Sequence, residues 1–231
     1  MVLRKIVVAT AAVWGLVVAS AAPAGAIVGG AAATPQDAPY LVSVRMDGWT
    51  GKSAICGGFL LTAHKVVTAA SCVDGATASK LEVRWGGLNR SGLPKGSWVS
   101  KISVYHNWDA SRLTGDVAVL TLTTEASETD GVTFAKLATL EPPAGEMATV
   151  TGWGRTSPDS PLPESAQTVQ LPILDTATCQ KDYPGSSDGD PAFDPNGMIC
   201  AGPQEGGQGI CKGDSGDPLS AYTRTSPASY G

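Results

Sequence analysis

Short apolar segments separated by turns rich in glycine and proline constrain the fold of this chain most strongly. With 28 glycines and 16 prolines in 231 residues, the chain must reverse direction often. Several segments alternate apolar and polar side chains, which predicts half-buried β-strands, and no convincing helical period follows residue 26. The predicted strands are 41–44, 81–85, 117–122, 147–150 and 168–171. We therefore predict an all-β sandwich or barrel fold, with the best internal boundary near 137–143.

The balance of charged and apolar residues excludes two classes of protein. Charged residues make up 16% of the chain and hydrophobic residues 42%, which argues against a disordered chain. The chain has 16 lysines and arginines and 21 aspartates and glutamates, so its net charge is −5. Because binding to phosphate groups needs a basic surface, we predict no nucleic acid partner.

The first 26 residues have the features of an export signal. Arg4 and Lys5 precede the apolar run 6–19, and Ala24 and Ala26 supply the small residues that signal peptidase requires. A membrane anchor would need roughly 20 apolar residues, and this run is shorter. We expect the segment to be removed, the product to be secreted to the extracellular space, and no membrane association after removal.

An exported chain should pair its cysteines, and this chain has five, an odd number. One thiol is therefore expected to lack a partner within the chain. The five are Cys56, Cys72, Cys179, Cys200 and Cys211.

Three aspartates in the segment 186–196 raise the alternative of a calcium loop. These are Asp188, Asp190 and Asp194, but the segment lacks the glycine at the sixth loop position and the closing glutamate. A solvated loop is the favoured interpretation. No other metal cluster, phosphate-binding loop or cofactor motif is present in the sequence, so we predict neither metal nor cofactor.

Ser215 lies in the sequence Gly-Asp-Ser-Gly at 213–216, where a sharp turn can expose a hydroxyl and aim amide N–H groups at one point. Alone this motif is weak evidence, but other segments agree with it in order. They are Ile-Val-Gly-Gly at 27–30, Cys-Gly-Gly at 56–58, Thr-Ala-Ala-Ser-Cys at 68–72, Asp-Val-Ala-Val-Leu at 116–120, Thr-Gly-Trp-Gly at 151–154 and Met-Ile-Cys-Ala-Gly at 198–202. From Ile27 to about Leu219 the chain resembles the chymotrypsin/trypsin-like serine protease family, most closely its secreted fungal and microbial trypsin-like members.

The resemblance implies two packed antiparallel β-barrels with the active site in the cleft between them. We accordingly expect an N-terminal barrel over 27–137 and a C-terminal barrel over 138–231. The family continues through further strands and a helix after the nucleophile, whereas this chain ends soon after Ser215. We therefore expect the second barrel to be incomplete, with exposed edge N–H and C=O groups. The resemblance also implies a protein or peptide as substrate or binding partner.

Site roles follow from the resemblance residue by residue. Ser215 takes the position of the nucleophile, Asp116 that of the buried acid that orients the base, and the N–H groups of Gly213 and Ser215 that of the oxyanion hole. Asp214 matches the aspartate that pairs with a new N-terminal amine, here that of Ile27.

Two cuts are compatible with this ion pair. A cut after Ala26 exposes the amine at once, whereas a cut after Ala21 would first leave a five-residue propeptide. The family's disulfides match Cys56 with Cys72 and Cys179 with Cys200, and Cys211 matches one half of a third.

The general base is the main departure from the family pattern. Ser71 stands directly before Cys72, where the family has its catalytic histidine. A hydroxyl cannot accept and hold a proton near neutral pH as imidazole does, so Ser215 would remain a poor nucleophile. The chain has only two histidines, His64 and His106, and we predict that both lie on the surface.

Two further positions depart from the pattern. Asp217 replaces a glycine after the nucleophile, and its direction is open. Turned toward the oxyanion hole, its carboxylate would oppose developing negative charge by about 4 kcal/mol at ~4 Å and an effective dielectric of ~20. Gly209 matches the base of the specificity pocket, where trypsins have aspartate, so no preference for arginine or lysine is predicted.

Two functions remain open at this stage. The first is a secreted, catalytically impaired protease homologue that binds proteins, and a degraded product without function would share its chemistry. The second is an active or weakly active serine endopeptidase that cleaves proteins through Ser215. Its base would then come from another source, such as a histidine of the substrate, or the chain as written would misrepresent a full-length active form.

Overall fold

The computed structural model describes residues 27–46, 54–185 and 191–221. The predicted signal 1–26 and the aspartates at 188 and 190 lie outside the described residues. The strands and the helix, in chain order, are β1 (Ala31–Ala32), β2 (Leu41–Met46), β3 (Ala54–Thr62), β4 (Lys65–Thr68), β5 (Leu81–Trp85), β6 (Lys95–Val104), β7 (Ala118–Leu122), β8 (Met147–Gly152), β9 (Gln167–Pro172), α1 (Thr176–Asp182) and β10 (Leu219–Ala221). Single 3₁₀ turns occupy Ala70–Cys72, Ala78–Lys80 and Glu128–Asp130.

The first half of the chain forms a closed barrel whose strands bury one face. Every second side chain of β5 and β7 is buried, which is the period of a strand with one face on a core. The six strands join in the antiparallel order β2-β3-β4-β7-β6-β5 and close on themselves. Val42, Leu60, Trp85 and Leu120 are buried inside. Closure leaves this barrel without a free sheet edge.

Among the described residues, β8, β9 and β10 of the second half join β1 in an open, antiparallel sheet of four strands, in the order β1-β9-β8-β10. Its core is the buried cluster of Ile27, Val150, Val169 and Leu171. The all-β architecture with a closed barrel and a second sheet confirms the predicted fold class. The division at residues 137 and 138 stays a prediction, and β1 pairs with β9 in the sheet of the second half.

A small apolar cluster and several hydrogen bonds join the barrel to the sheet. Ala38 and Leu41 of the first half pack with Trp153 and Ala166 of the second. The indole N–H of Trp153 donates to the carbonyl oxygen of Leu88 at 2.8 Å. These contacts help to hold the two halves together.

The five predicted strands are all present, and five strands and one helix were missed. β3 contains Gly57 and Gly58, which lower strand propensity, but a Cβ on Gly58 would meet the carbonyl oxygen of Val67 at 2.7 Å. The helix α1 begins where Asp175 accepts a hydrogen bond from the N–H of Thr178. Within the described ranges, no helix is long and apolar enough to cross a bilayer.

Two disulfides have the pairing that the family resemblance implied. Cys56 of β3 is bonded to Cys72 in the 3₁₀ turn after β4, and Cys179 of α1 to Cys200. Cys211 has a free thiol and is partly exposed. The first bridge fixes the segment that carries Ser71 to the barrel wall.

We expect the Cys56–Cys72 bridge to stabilise the fold by restricting the unfolded chain. Its cysteines are 16 residues apart, and a loop of about this length corresponds to about 3 kcal/mol. The double variant Cys56→Ser, Cys72→Ser should lower Tm by about 6–12 °C in calorimetry. The matched control Cys211→Ser removes a free thiol and should shift Tm by no more than about 2 °C. Equal losses in the two proteins would contradict the prediction.

Candidate active site

Two glycines shape the loop that carries Ser215, which we call the Ser215 loop (residues 211–217). Gly213 and Gly216 have positive φ angles of 110° and 88°, which side chains with a Cβ rarely adopt. A Cβ on Gly216 would also meet the carbonyl oxygen of Gly57 at 2.5 Å. The loop therefore makes a sharp turn close to β3, with the Ser215 side chain exposed.

The backbone of the barrel fixes the position of Ser215. The N–H of Gly57 donates to the carbonyl oxygen of Ser215 at 2.9 Å. The Sγ atom of Cys72 lies 3.7 Å from the same oxygen. Because Ser71 directly precedes Cys72, the turn that carries Ser71 lies beside the Ser215 loop.

Ser71 holds both carboxylate oxygens of Asp116. Its N–H donates to Oδ1 at 2.7 Å, and its hydroxyl donates to Oδ2 at 2.8 Å. The turn after β4 supplies Ser71, and the residues leading into β7 supply Asp116. The structure thus brings Ser71 and Asp116 together, as their predicted site positions require. The Ser71 hydroxyl contacts the acid where an active member of the family has an imidazole.

Neither histidine lies in this arrangement. His64 lies between β3 and β4, and its Nε2 atom is 3.6 Å from a carboxylate oxygen of Glu125. His106 packs edge-on against the ring of Tyr105, with the ring centroids 4.6 Å apart. Both are exposed to solvent, in line with the prediction that they are surface residues.

Asp214 turns into the protein and is held by backbone N–H groups. Gly154 donates to its Oδ1 at 2.7 Å and Cys211 to its Oδ2 at 2.9 Å. The residue is 3% exposed. Burial raises the pKa of the Asp214 carboxyl above its usual value, although these two donors act in the opposite direction.

Asp217 also points into the protein, in a slot between the two halves. A Cβ on Gly57 would meet its Oδ1 at 1.5 Å, and a Cβ on Gly152 would meet its Oδ2 at 1.8 Å. Both oxygens are buried, and none of the described residues donates a hydrogen bond to them. Burial, followed by the neighbouring charge of Asp214, raises the pKa of Asp217 well above its usual value.

The structure places Ile27 in the apolar core of the open sheet. The residue is fully buried, and the adjacent Val28 exchanges two backbone hydrogen bonds with Gly209, at 3.0 and 3.1 Å. The hydrogen bonds to the Asp214 carboxylate within the described ranges come from Gly154 and Cys211. The predicted ion pair between Ile27 and Asp214 stays a prediction.

Comparison with known proteins assigns the family. The family model described as Trypsin matches residues 27–225. The chain belongs to the trypsin family. Trypsin alpha of Drosophila melanogaster is 35% identical over 195 residues, which cover 83% of this chain and 71% of that protein. Trypsin-1 of Astacus astacus is 35% identical over 203 residues, covering 84% and 81%.

A bacterial relative matches the chain about equally well. Trypsin of Saccharopolyspora erythraea is 34% identical over 193 residues, which cover 83% of this chain and 80% of that protein. Insect, crustacean and bacterial trypsins thus have similar identities to this chain. The finer prediction of a fungal or microbial type stays a prediction.

A groove of about 430 Å³ lies next to the segment that ends in Asp116 of this trypsin homologue. One wall is formed by Ser111, Arg112 and Thr114, and the other by the segment 191–195, which includes Phe193. Within the described ranges, no three metal-binding side chains cluster. Asp194 of the suspected calcium loop instead accepts a hydrogen bond from the N–H of Asn196.

Sequence reasoning missed the two glycines that accept Asp217. Gly57 was noted as part of a motif and Gly152 as part of another, but neither was expected to face the carboxyl of Asp217. The available signal was a glycine inside a strand, which often marks a place where other atoms approach the backbone closely.

We expect Gly57→Ala to destabilise the chain because the added methyl group overlaps Asp217. Overpacking of this kind costs about 1–3 kcal/mol, measurable by urea unfolding. In the Asp217→Gly background the same change should cost at least about 1 kcal/mol less. The matched control Gly197→Ala adds a methyl group with no atom within 4 Å and should stay within about 0.5 kcal/mol. Equal costs of Gly57→Ala in both backgrounds would refute the overlap.

Proposed function

We propose that this trypsin homologue is a secreted, catalytically impaired protein that binds proteins or peptides at the protease site. The observation that carries the proposal is the pair of hydrogen bonds from Ser71 to Asp116, at 2.7 and 2.8 Å. In an active triad the acid orients an imidazole, which takes the proton of the serine hydroxyl. Here a serine hydroxyl donates to that acid in place of an imidazole. The two histidines of the chain contact Glu125 and Tyr105 instead.

The expected loss of activity is large. In an unrelated protease with the same triad, removal of the histidine lowers kcat by about 10⁶-fold. The oxyanion hole and substrate binding by themselves still give about 10³–10⁴-fold over water. The proposal therefore predicts residual hydrolysis at most.

The other site roles are part of the same proposal. The N–H groups of Gly213 and Ser215 form the oxyanion hole, and after a cut before Ile27 its new amine pairs with Asp214. The bridge between Val28 and Gly209, two residues before Cys211, supports this because Cys211 itself donates to Asp214. The N-terminal signal pattern supports secretion.

The expected partner is a peptide segment whose side chain in the specificity pocket need not be arginine or lysine. Gly209 brings no carboxylate to the base of the specificity pocket, and a Cβ there would meet nothing within 4 Å. Selection of an arginine or lysine side chain therefore has no charge partner at this position. The groove beside Arg112 and Phe193 offers additional apolar and polar surface for such a segment.

A second candidate is an endopeptidase that works through Ser215 with a base from elsewhere. The exposed hydroxyl of Ser215 and the hydrogen bond that holds its carbonyl oxygen at 2.9 Å favour it, because the loop has the sharp turn that the nucleophile needs. Such a base would come from the substrate, for example a histidine side chain.

Hydrolysis of peptide amides by the secreted protein, with Ser215→Ala and Ser71→His alongside, separates the two candidates. We expect the parent and Ser215→Ala to be equally inactive. Ser71→His should raise kcat/KM by at least about 10²–10⁴-fold, which is the contribution of general base catalysis by itself. The control Ser100→His places an imidazole on an exposed site of β6 and should produce no gain.

Each outcome has a definite meaning. Activity of the parent above that of Ser215→Ala would overturn impaired catalysis and support the second candidate. A gain with Ser71→His alone would identify the missing base as the defect. If all four proteins are inactive, the absent base is not the sole defect, and peptide binding measured by calorimetry tests the remaining claim.

A further inference from the structure

We propose that Asp217 is a positioning residue for the Ser215 loop: it stays protonated at neutral pH and donates that proton in a hydrogen bond to the carboxylate of Asp214. The loop would then be closed by a single proton shared between two buried carboxyl groups, and it would open as the pH rises. This proposal is independent of whether Ser215 hydrolyses peptides.

The two carboxyl groups lie side by side. A Cβ on Gly152 would meet Oδ2 of Asp217 at 1.8 Å and Oδ1 of Asp214 at 2.5 Å, so both oxygens lie against the same point of β8. Two carboxyl groups in such a position cannot both ionise at low cost, and they commonly share one proton.

The hydrogen bonds decide which group keeps the proton. Each oxygen of Asp214 accepts a backbone N–H, from Gly154 at 2.7 Å and from Cys211 at 2.9 Å, and these donors stabilise a carboxylate. Both oxygens of Asp217 are buried without a donor among the described residues. Asp214 is therefore the anion and Asp217 the acid, and the proton of Asp217 has Asp214 as its acceptor.

The residues that the structure describes around Asp217 place no cation in the slot. The amine that the proposed cut before Ile27 would free pairs with Asp214, and it therefore also favours Asp214 as the anion of the two. Gly57 of β3 and Gly152 of β8 form the slot, and Thr68 of β4 packs against the adjacent Gly216. Among the described residues, the only charge that acts on Asp217 is that of Asp214, which raises its pKa further after burial.

The other ionisable side chains on the packed elements do not enter the slot. Lys212, on the loop itself, is exposed, and the partly exposed Arg155 after β8 donates to the carbonyl oxygen of Pro158. The Cys211 thiol is partly exposed. Asp116, near the loop on the barrel side, is held by Ser71.

Loss of the proton should move the loop. A second negative charge in the slot would repel Asp214 and have no donor, so water outside becomes the better environment. Gly213 and Gly216, with positive φ angles, flank Asp214 and Ser215 and allow the backbone to turn. Outward motion would break the hydrogen bond from Gly57 to Ser215.

Infrared absorption of the carboxyl groups tests where the proton is. The full chain in D₂O, titrated from pD 5 to 9, should show a protonated carboxyl C=O band at pD 7. The band should be absent in Asp217→Asn and in Asp217→Gly, and present in the matched control Asp159→Asn, an exposed aspartate. If Asp217→Asn does not fold, Asp217→Gly still tests whether the band comes from Asp217.

Stability and hydrogen exchange test the consequence for the loop. A raised pKa in the folded state means that the folded chain binds one more proton than the unfolded chain above about pH 4, so stability falls as the pH rises. From pH 5 upward to the folded pKa, the unfolding constant of the parent, relative to Asp217→Asn, should increase about tenfold per pH unit. Above the pH at which the carboxyl band of the parent is lost, amide exchange in 211–217 should be faster in the parent, because the side-chain amide of the Asp217→Asn variant can still donate to Asp214 without ionising.

The outcomes either support or overturn the proposal. A band at pD 7 that depends on Asp217, together with the pH slope, supports it. If all carboxyl groups of the parent are ionised at pD 7, then Asp217 is balanced by a bound water or cation and the proposal is wrong. The proposal also fails if the band persists without Asp217, or if the parent and Asp217→Asn have the same pH slope and exchange rates.

Discussion

The close approach of the Ser215 loop to β3 is the contact on which the functional side of this protein depends. The N–H of Gly57 holds the carbonyl oxygen of Ser215, and the lack of a side chain on Gly57 leaves room for Asp217. The same strand carries Cys56, whose bridge to Cys72 fixes the turn with Ser71. Strand β3 thus positions both Ser215 and Ser71, the residue at the place of the general base.

The acids of the site are held by several hydrogen bonds, but a serine stands at the position of the general base. Asp116 is held by two hydrogen bonds, and Asp214 by two backbone donors. Neither arrangement gives Ser215 a proton acceptor near neutral pH. The proposed role in binding a peptide segment depends on the shape that these hydrogen bonds give the site, whether or not the peptide is cut.

Much of the architecture was predictable because it rests on local patterns. Alternating segments such as 81–85 and 147–150 became strands, and the order of short motifs indicated the family and the disulfide pairs. Strands with glycines or a preceding turn were missed, among them β3 and the whole of β6, because their pairing depends on neighbours distant in sequence. The short helix α1 was missed for lack of a helical period over so few residues.

By itself, the sequence determined which chemical groups this protein has at its site: a serine at 215, acids at 116, 214 and 217, and a serine at 71 instead of an imidazole. Only the tertiary structure decided that the carboxyl of Asp217 turns inward beside Asp214 rather than toward solvent. The reason is steric and long-range, because Gly57 and Gly152 come from two halves of the fold and form the slot only when β3 and β8 pack at the Ser215 loop. No local pattern around residue 217 contains that information.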